Sequence, residues 1–182
     1  MRINYDDPNA AKEIAAELGY LATLSMPVDA KLCVVGVGHA PTMSDGLGPY
    51  VGTRLKAILG DQVTVIGTME DWVGAGRVGE VAVALQAVGE VYWTIAVDAA
   101  VGQQIGRLGV YDEPLRPGAG QGKSLASLGD VSIMGCTGLS GLDVLLDRCD
   151  PDIVRRMGDV VVEGIVDFVA RLDGIRMEAI SA

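Results

Sequence analysis

Two aspartates, Asp45 and Asp98, stand where acids can do chemistry. Asp45 ends a loop of mostly small residues, 39–45, that follows the apolar run 31–37, and it directly precedes Gly46-Leu47-Gly48-Pro49. Asp98 directly follows Val-Tyr-Trp-Thr-Ile-Ala-Val at 91–97, the strongest β-branched and aromatic run in the chain. Open α/β sheets bind ligands beyond the carboxyl ends of their strands, so acids just past a strand end outrank acids elsewhere. If the two strands are neighbours, both carboxyls face one crevice. Two carboxylates brought together do not both ionise cheaply. One pKa rises and the pair shares a proton, which lets it hold a water and protonate a leaving amine. That is aspartic-protease chemistry. The plainer reading is that Asp45 caps the following helix and Asp98 merely ends a strand.

Three further positions could extend such a site. Glu70 and Asp71 follow the β-branched run 63–66 and would supply a third acidic group, enough for a divalent cation, or else form a solvated turn. His39, the only histidine, sits in the loop after the first apolar run as a metal ligand, a partner for a nucleophile or a surface residue. Cys136 also follows an apolar run, but no second histidine exists to activate it as a nucleophile. Two glycine patterns are set aside. In Pro-Gly-Ala-Gly-Gln-Gly-Lys-Ser at 117–124, Pro117 stands where a phosphate loop has its first glycine. After Gly36-Val37-Gly38, Pro41 stands where a dinucleotide fingerprint has its third.

These residues need a scaffold, and the hydrophobic pattern supplies one. A helix over 7–18 is expected, with Asp7 as N-cap and Pro8 at its first position. Strands follow at 31–37, 63–66, 91–97, 108–111 and 131–134, and helices at 47–59, 78–88, 140–148 and 153–172, with Gly60 ending the second helix. The stretch 112–123 is too rich in Pro and Gly to be anything but loop. Alternating strands and helices imply an α/β fold: three layers, a mostly parallel sheet with helices on both faces. The expectation is a single domain over 1–182, with 1–24 a helical extension to a core at 25–172.

Composition narrows the function classes. In 182 residues there are 14 Lys and Arg against 24 Asp and Glu, a formal net charge of −10, which speaks against a surface that tracks phosphates. Nucleic acid is therefore not an expected partner. Cys33, Cys136 and Cys149 are odd in number and form no CxxC pair, so reduced thiols in a cytoplasm are expected rather than disulfides or a zinc knuckle. Early acids at Asp6, Asp7, Glu13 and Glu17 do not suit a secretory signal, and no apolar run reaches the ~20 residues of a membrane span.

An ordered set of motifs adds a resemblance. Cys33 to Gly38, Ser44-Asp45-Gly46-Leu47-Gly48-Pro49, Ile66 to Asp71, Ile95 to Ala99, Pro117 to Lys123 and Gly129 to Gly135 resemble the sporulation protein YyaC family, over about residues 25–172. That family is related to the germination protease of bacterial spores. The resemblance implies a phosphorylase/hydrolase-like fold and a spore endopeptidase of cytoplasmic, forespore or spore-core location. Its substrates would be small acid-soluble spore proteins, with no cofactor and with homo-oligomers conceivable. In germination protease the two proposed catalytic aspartates lie in a Thr-Pro-Asp-Ala-Leu-Gly-Pro loop and after an apolar strand, followed by Ala. Those places match Asp45 and Asp98 here, with His39, Glu70, Asp71, Gly120 and Lys123 as accessory or substrate-binding positions. The sequence departs from the family at Gly38-His39-Ala40, in place of Thr-Asp-Arg, and at Trp72-Val73-Gly74-Ala75, in place of Pro-Val-His-Ala. The fold is also similar to hydrogenase maturation endopeptidases, which bind nickel through two acids and a histidine. The acids again match Asp45 and Asp98, but Thr137 or a neighbour stands where the histidine would be. Two rivals to the paired-acid protease follow: a metal-dependent maturation-type endopeptidase, and a non-catalytic regulatory protein on the same fold.

Overall fold

The computed structural model describes residues 1–117, 126–139 and 150–181. In chain order its elements are β1 (Arg2–Asn4), α1 (Ala10–Ser25), β2 (Lys31–Gly36), α2 (Leu47–Leu59), β3 (Thr64–Ile66), α3 (Val78–Ala87), β4 (Tyr92–Gly102), β5 (Arg107–Tyr111), β6 (Val131–Leu139) and α4 (Pro151–Ser181). One sheet runs in the order β1-β5-β6-β4-β2-β3. The strands β3, β2, β4 and β6 are parallel, while β5 is antiparallel to β6 and β1 antiparallel to β5. The sheet is thus mostly parallel with a mixed edge.

A parallel strand covered on both faces cannot afford polar side chains on either, and β2 is buried at every position after Lys31. Its residues alternate between two cores. Leu32 and Val34 join Trp93, Ile95, Val97, Val131 and Ile133 under α1, α2 and α4. Trp93 packs against Phe168 with ring centroids 5.9 Å apart, and its indole N–H, which could not be buried unpaired, donates to Ser25 Oγ at 3.0 Å. Cys33, Val35 and Val37 turn to the opposite face with Ala96, where Val78 and Val81 of α3 and the Leu115–Leu128 bridge cover them. The three layers expected from the sequence are present.

Several boundaries moved for identifiable reasons. Helix α1 starts at Ala10 rather than residue 7, because the Asp7 carboxylate accepts the Asn9 N–H at 2.8 Å and closes a turn before the helix begins. It then continues to Ser25, burying Leu21 and Ala22. No strand was expected at β1, yet Ile3 enters the core and the first 25 residues contribute β1 and α1 to the same layers. β4 does not stop at Val97. Beyond the last β2 pair, Gly36 with Val97, it goes on pairing with β6 through a bulge between Ala100 and Val101. The helix expected at 140–148, Cys149 and the loop at 118–123 lie outside the described residues. Among the described residues, no helix is long and apolar enough to cross a membrane.

Candidate active site

β2 and β4 lie side by side, but the chain leaves them in opposite directions, from β2 through α2 to β3 and from β4 through β5 to β6. Such a switch in strand order opens a crevice between the loops that follow the two strands. Asp45 ends a 3-10 turn, Met43–Asp45, in the loop after β2. Asp98 is the first β4 residue past the reach of β2. The two predicted acids therefore follow the ends of adjacent strands.

Close packing brings them together. A Cβ on Gly48, in the first turn of α2, would lie 2.2 Å from the Val37 carbonyl oxygen and 2.5 Å from that of Val97. Only glycine lets the helix start sit directly on the ends of β2 and β4. Gly38, at φ 144°, makes the exit from β2, and a Cβ there would stand 1.9 Å from the Asp45 carbonyl oxygen. The loop is tied by backbone bonds, His39 N–H to Asp45 C=O at 3.2 Å and Asp45 N–H to Thr42 C=O at 2.9 Å. A side chain ties it to the sheet as well. The hydroxyl of Thr137, fully buried near the end of β6, donates to the Ser44 carbonyl at 2.6 Å. Sequence reasoning weighs Thr137 only as the place of an absent histidine, whereas its contact makes it a positioning residue for the Asp45 loop.

The electrostatics separate the two acids. Asp98 is 9% exposed, and burial pushes its carboxyl well above the usual carboxylate range. The nearby Asp45 charge pushes it further, against a single opposing bond from the Ala99 N–H at 2.8 Å. Burial also raises Asp45, but less, because the His39 backbone N–H and imidazole favour its ionised form. Asp45 is not the cap of α2: the N-cap is Gly46, and no side chain caps that end. Nor does Asp98 end its strand. Both carboxyls are thus raised, Asp98 further than Asp45, and the charge of Asp45 is one of the reasons.

The other expected residues divide. His39 is at the site, exposed, with its ring edge on Trp72 at 5.6 Å and Nδ1 3.0 Å from Thr42 Oγ1. Glu70 and Asp71 are not. Although the segment after β3 returns to β2, with Val73 bridging to Val37, neither acid is among the charges that shift Asp45 or Asp98. Asp71 instead takes the Arg77 guanidinium at 2.8 Å and closes a turn with Thr68, and Glu70 is exposed. Gly120 and Lys123 lie outside the described residues. Cys136 is buried and donates to the Gly138 carbonyl at 3.3 Å, while burial pushes the Cys33 thiol up to about 12, so neither is an activated nucleophile.

The nickel set carried by the hydrogenase-maturation likeness does not fit. Among the described residues no three His, Cys, Asp or Glu side chains lie together in a way that could hold a metal ion. Thr137, at the place considered for the third ligand, spends its hydroxyl on Ser44.

With this geometry established, comparison with known proteins gives the family. The family described as protein of unknown function, DUF1256, matches residues 2–164. The chain belongs to the DUF1256 family. The Bacillus subtilis (strain 168) protein described as uncharacterized protein YyaC is 31% identical to this DUF1256 chain over 167 residues, or 90% of this chain and 80% of that protein. The YyaC resemblance carried by the motifs is thus confirmed. Among solved structures, the NiFe hydrogenase maturation protease HycI from Thermococcus kodakarensis is 18% identical, with a TM-score of 0.46 over 81% of this chain and 98% of that one.

Proposed function

We propose that this DUF1256 chain is an endopeptidase whose paired aspartates, Asp45 and Asp98, activate water against a peptide bond of spore or sporulation proteins, small acid-soluble spore proteins foremost. One observation supports the reading: Asp45 and Asp98 follow the ends of the adjacent strands β2 and β4, and the charge of Asp45 is among the causes that raise the more buried Asp98. The spore substrate comes from the sequence resemblance to the relatives of germination protease.

In the reactive state Asp98 holds the proton and Asp45 is ionised. Asp45 takes one proton from a water held between the carboxyls, and the water oxygen bonds to the scissile carbonyl carbon. Asp98 then gives its proton to the amide nitrogen as the C–N bond breaks. One water has been consumed, an acid and an amine leave, and the proton now on Asp45 passes back to Asp98 through the next bound water, which restores the starting state. His39, beside Asp45, keeps the base ionised to lower pH.

The test is to incubate the purified chain with small acid-soluble spore proteins and map new termini by mass spectrometry. Cuts with the wild type, and none with Asp45→Asn or Asp98→Asn at unchanged thermal stability or better, support the reading. Cuts that survive either substitution refute it. No cut in any spore protein or in a denatured protein mixture favours the non-catalytic rival.

A further inference from the structure

The sheet carries a second feature on the face that Asp98 shares. The register sets four residues in one transverse row: Asp98 pairs with Met134, Met134 with Gly109, and Gly109 with Arg2. Directly paired residues point to the same face of a sheet. The next row places Ala100 opposite Cys136, and Arg107 opposite Asn4. Below Asp98, α3 and the Leu115–Leu128 bridge cover this face, whereas from Met134 to Arg2 it forms the floor of a groove of about 470 Å³. That volume is in the range of sites that hold a few residues of ligand.

The groove's charge is opposite to that of the molecule. In a chain of net −10, the described residues that line it include Arg2 and Arg107 and no carboxylate. Among the described residues neither arginine is in an ion pair, nor are Arg116 and Arg156, whereas Arg54, Arg77, Arg155 and Arg171 are. Arg2 lies over the Tyr111 ring at 5.9 Å, which orients the guanidinium without neutralising it. Gly109 makes room for that ring, since a Cβ there would lie 2.6 Å from it. Gln103 and Gln104 on the rim offer side-chain amides of the kind that pair with an extended backbone.

From these observations we infer that the groove is the subsite for an acidic, extended segment of the protein substrate, its carboxylates held by Arg2 and Arg107. Three interstrand steps of ~4.8 Å separate Asp98 from Arg2, about 14 Å, which an extended chain at ~3.3 Å per residue crosses in about four residues. The preferred substrate therefore carries Asp or Glu about four residues from the cut. The position relative to the cut rests on the paired-aspartate reading; the binding of an acidic segment does not. A nucleic-acid strand is the less suitable occupant, because two arginines in a strongly acidic protein do not track a run of phosphates.

The experiment separates the two claims. A fluorescein-labelled peptide of four Ala-Glu repeats and its Ala-Gln counterpart are titrated by fluorescence anisotropy against wild type, Arg107→Gln, the Arg2→Gln/Arg107→Gln double variant and Asp98→Asn. Both arginines are exposed, and thermal melts check that the variants fold. The expected result is that wild type and Asp98→Asn bind the Glu peptide about tenfold or more tightly than the Gln peptide, and that the double variant loses this preference. Equal binding of the two peptides, or a preference that survives in the double variant, overturns the proposal. So does displacement of the Glu peptide by an oligothymidylate of equal charge at lower concentration than by unlabelled peptide. Arginine-dependent binding without cleavage of any peptide keeps the groove and removes the hydrolase reading. Cleavage with no acidic preference about four residues from the cut does the reverse.

Discussion

Exchanging Gly48 for alanine tests how the site is built, because the sign of its effect depends on one close approach. Glycine to alanine inside a helix ordinarily stabilises by up to about 1 kcal/mol. Gly48 is the second residue of α2, but its missing Cβ would sit 2.2 Å from the Val37 carbonyl oxygen, 2.5 Å from the Val37 nitrogen and 2.5 Å from the Val97 carbonyl oxygen. All three are backbone atoms, of Val37 just past β2 and of Val97 in β4, so no flexible side chain yields, and the start of α2 must rise from the sheet by about 1 Å to restore contact distance. Overpacking costs about 1–3 kcal/mol and more where backbone must move. Set against the helix gain, the net loss is about 2 kcal/mol, or a fall in Tm of about 4–8 °C for a chain of this size. The lifted helix carries Asp45 away from Asp98, so cleavage should fall with it. Gly79 is the internal control. It is the second residue of α3, and the nearest atom to its Cβ would be the Ala126 Cβ at an ordinary 3.6 Å, so Gly79→Ala should raise stability by a few tenths to about 1 kcal/mol. Differential scanning calorimetry on both variants gives the answer. A Gly48→Ala protein as stable as wild type would refute the claim that α2 rests backbone-on-backbone against β2 and β4.

Asp98→Asn should stabilise. The folded-state pKa of Asp98 is raised while its unfolded value is about 3.9, so the folded protein binds the extra proton above that value, and stability is lost as pH rises through the window up to the folded pKa. Asparagine removes the loss, so the variant should be the more stable at pH ~7 by a margin that closes toward pH ~4, as urea unfolding at a series of pH values will show. Thr137→Val should cost about 1–2 kcal/mol for the lost bond to the Ser44 carbonyl, with cleavage falling further than stability because the Asp45 loop is freed; melts and steady-state rates measure the two. His39→Ala removes a group that lowers the Asp45 pKa, so the acidic limb of the pH–rate profile should move to higher pH.

What the sequence showed depended on how local the cause was. β2 was legible because burial on both faces forces a continuous apolar run, and the middle of β4 because Tyr92 to Val97 is rich in β-branched and aromatic residues. The ends of β4 and β6 were not. Ala99, Ala100 and Gly102, like Gly135 and Gly138, carry no strand pattern, and they are strand only because β4 and β6 pair with each other. β1 is three residues long and exists because β5 offers an edge. The same limit governs the site. Asp45 and Asp98 could be picked by their places after apolar runs, but that criterion equally admitted Glu70 and Asp71, since strand order is not visible along the chain. The row from Asp98 to Arg2 joins residues 96 positions apart through three pairings and has no sequence signature.

The central claim is that Asp45 and Asp98 hold one proton between them, and side-chain carboxyl carbon NMR reads this directly. With carbon-13 aspartate, the Asp98 Cγ should titrate well above the ordinary aspartate value of about 3.9, and its midpoint should fall in Asp45→Asn, where the neighbouring charge is gone. An Asp98 that titrates near 3.9, or a raised midpoint that Asp45→Asn leaves in place, would contradict the account.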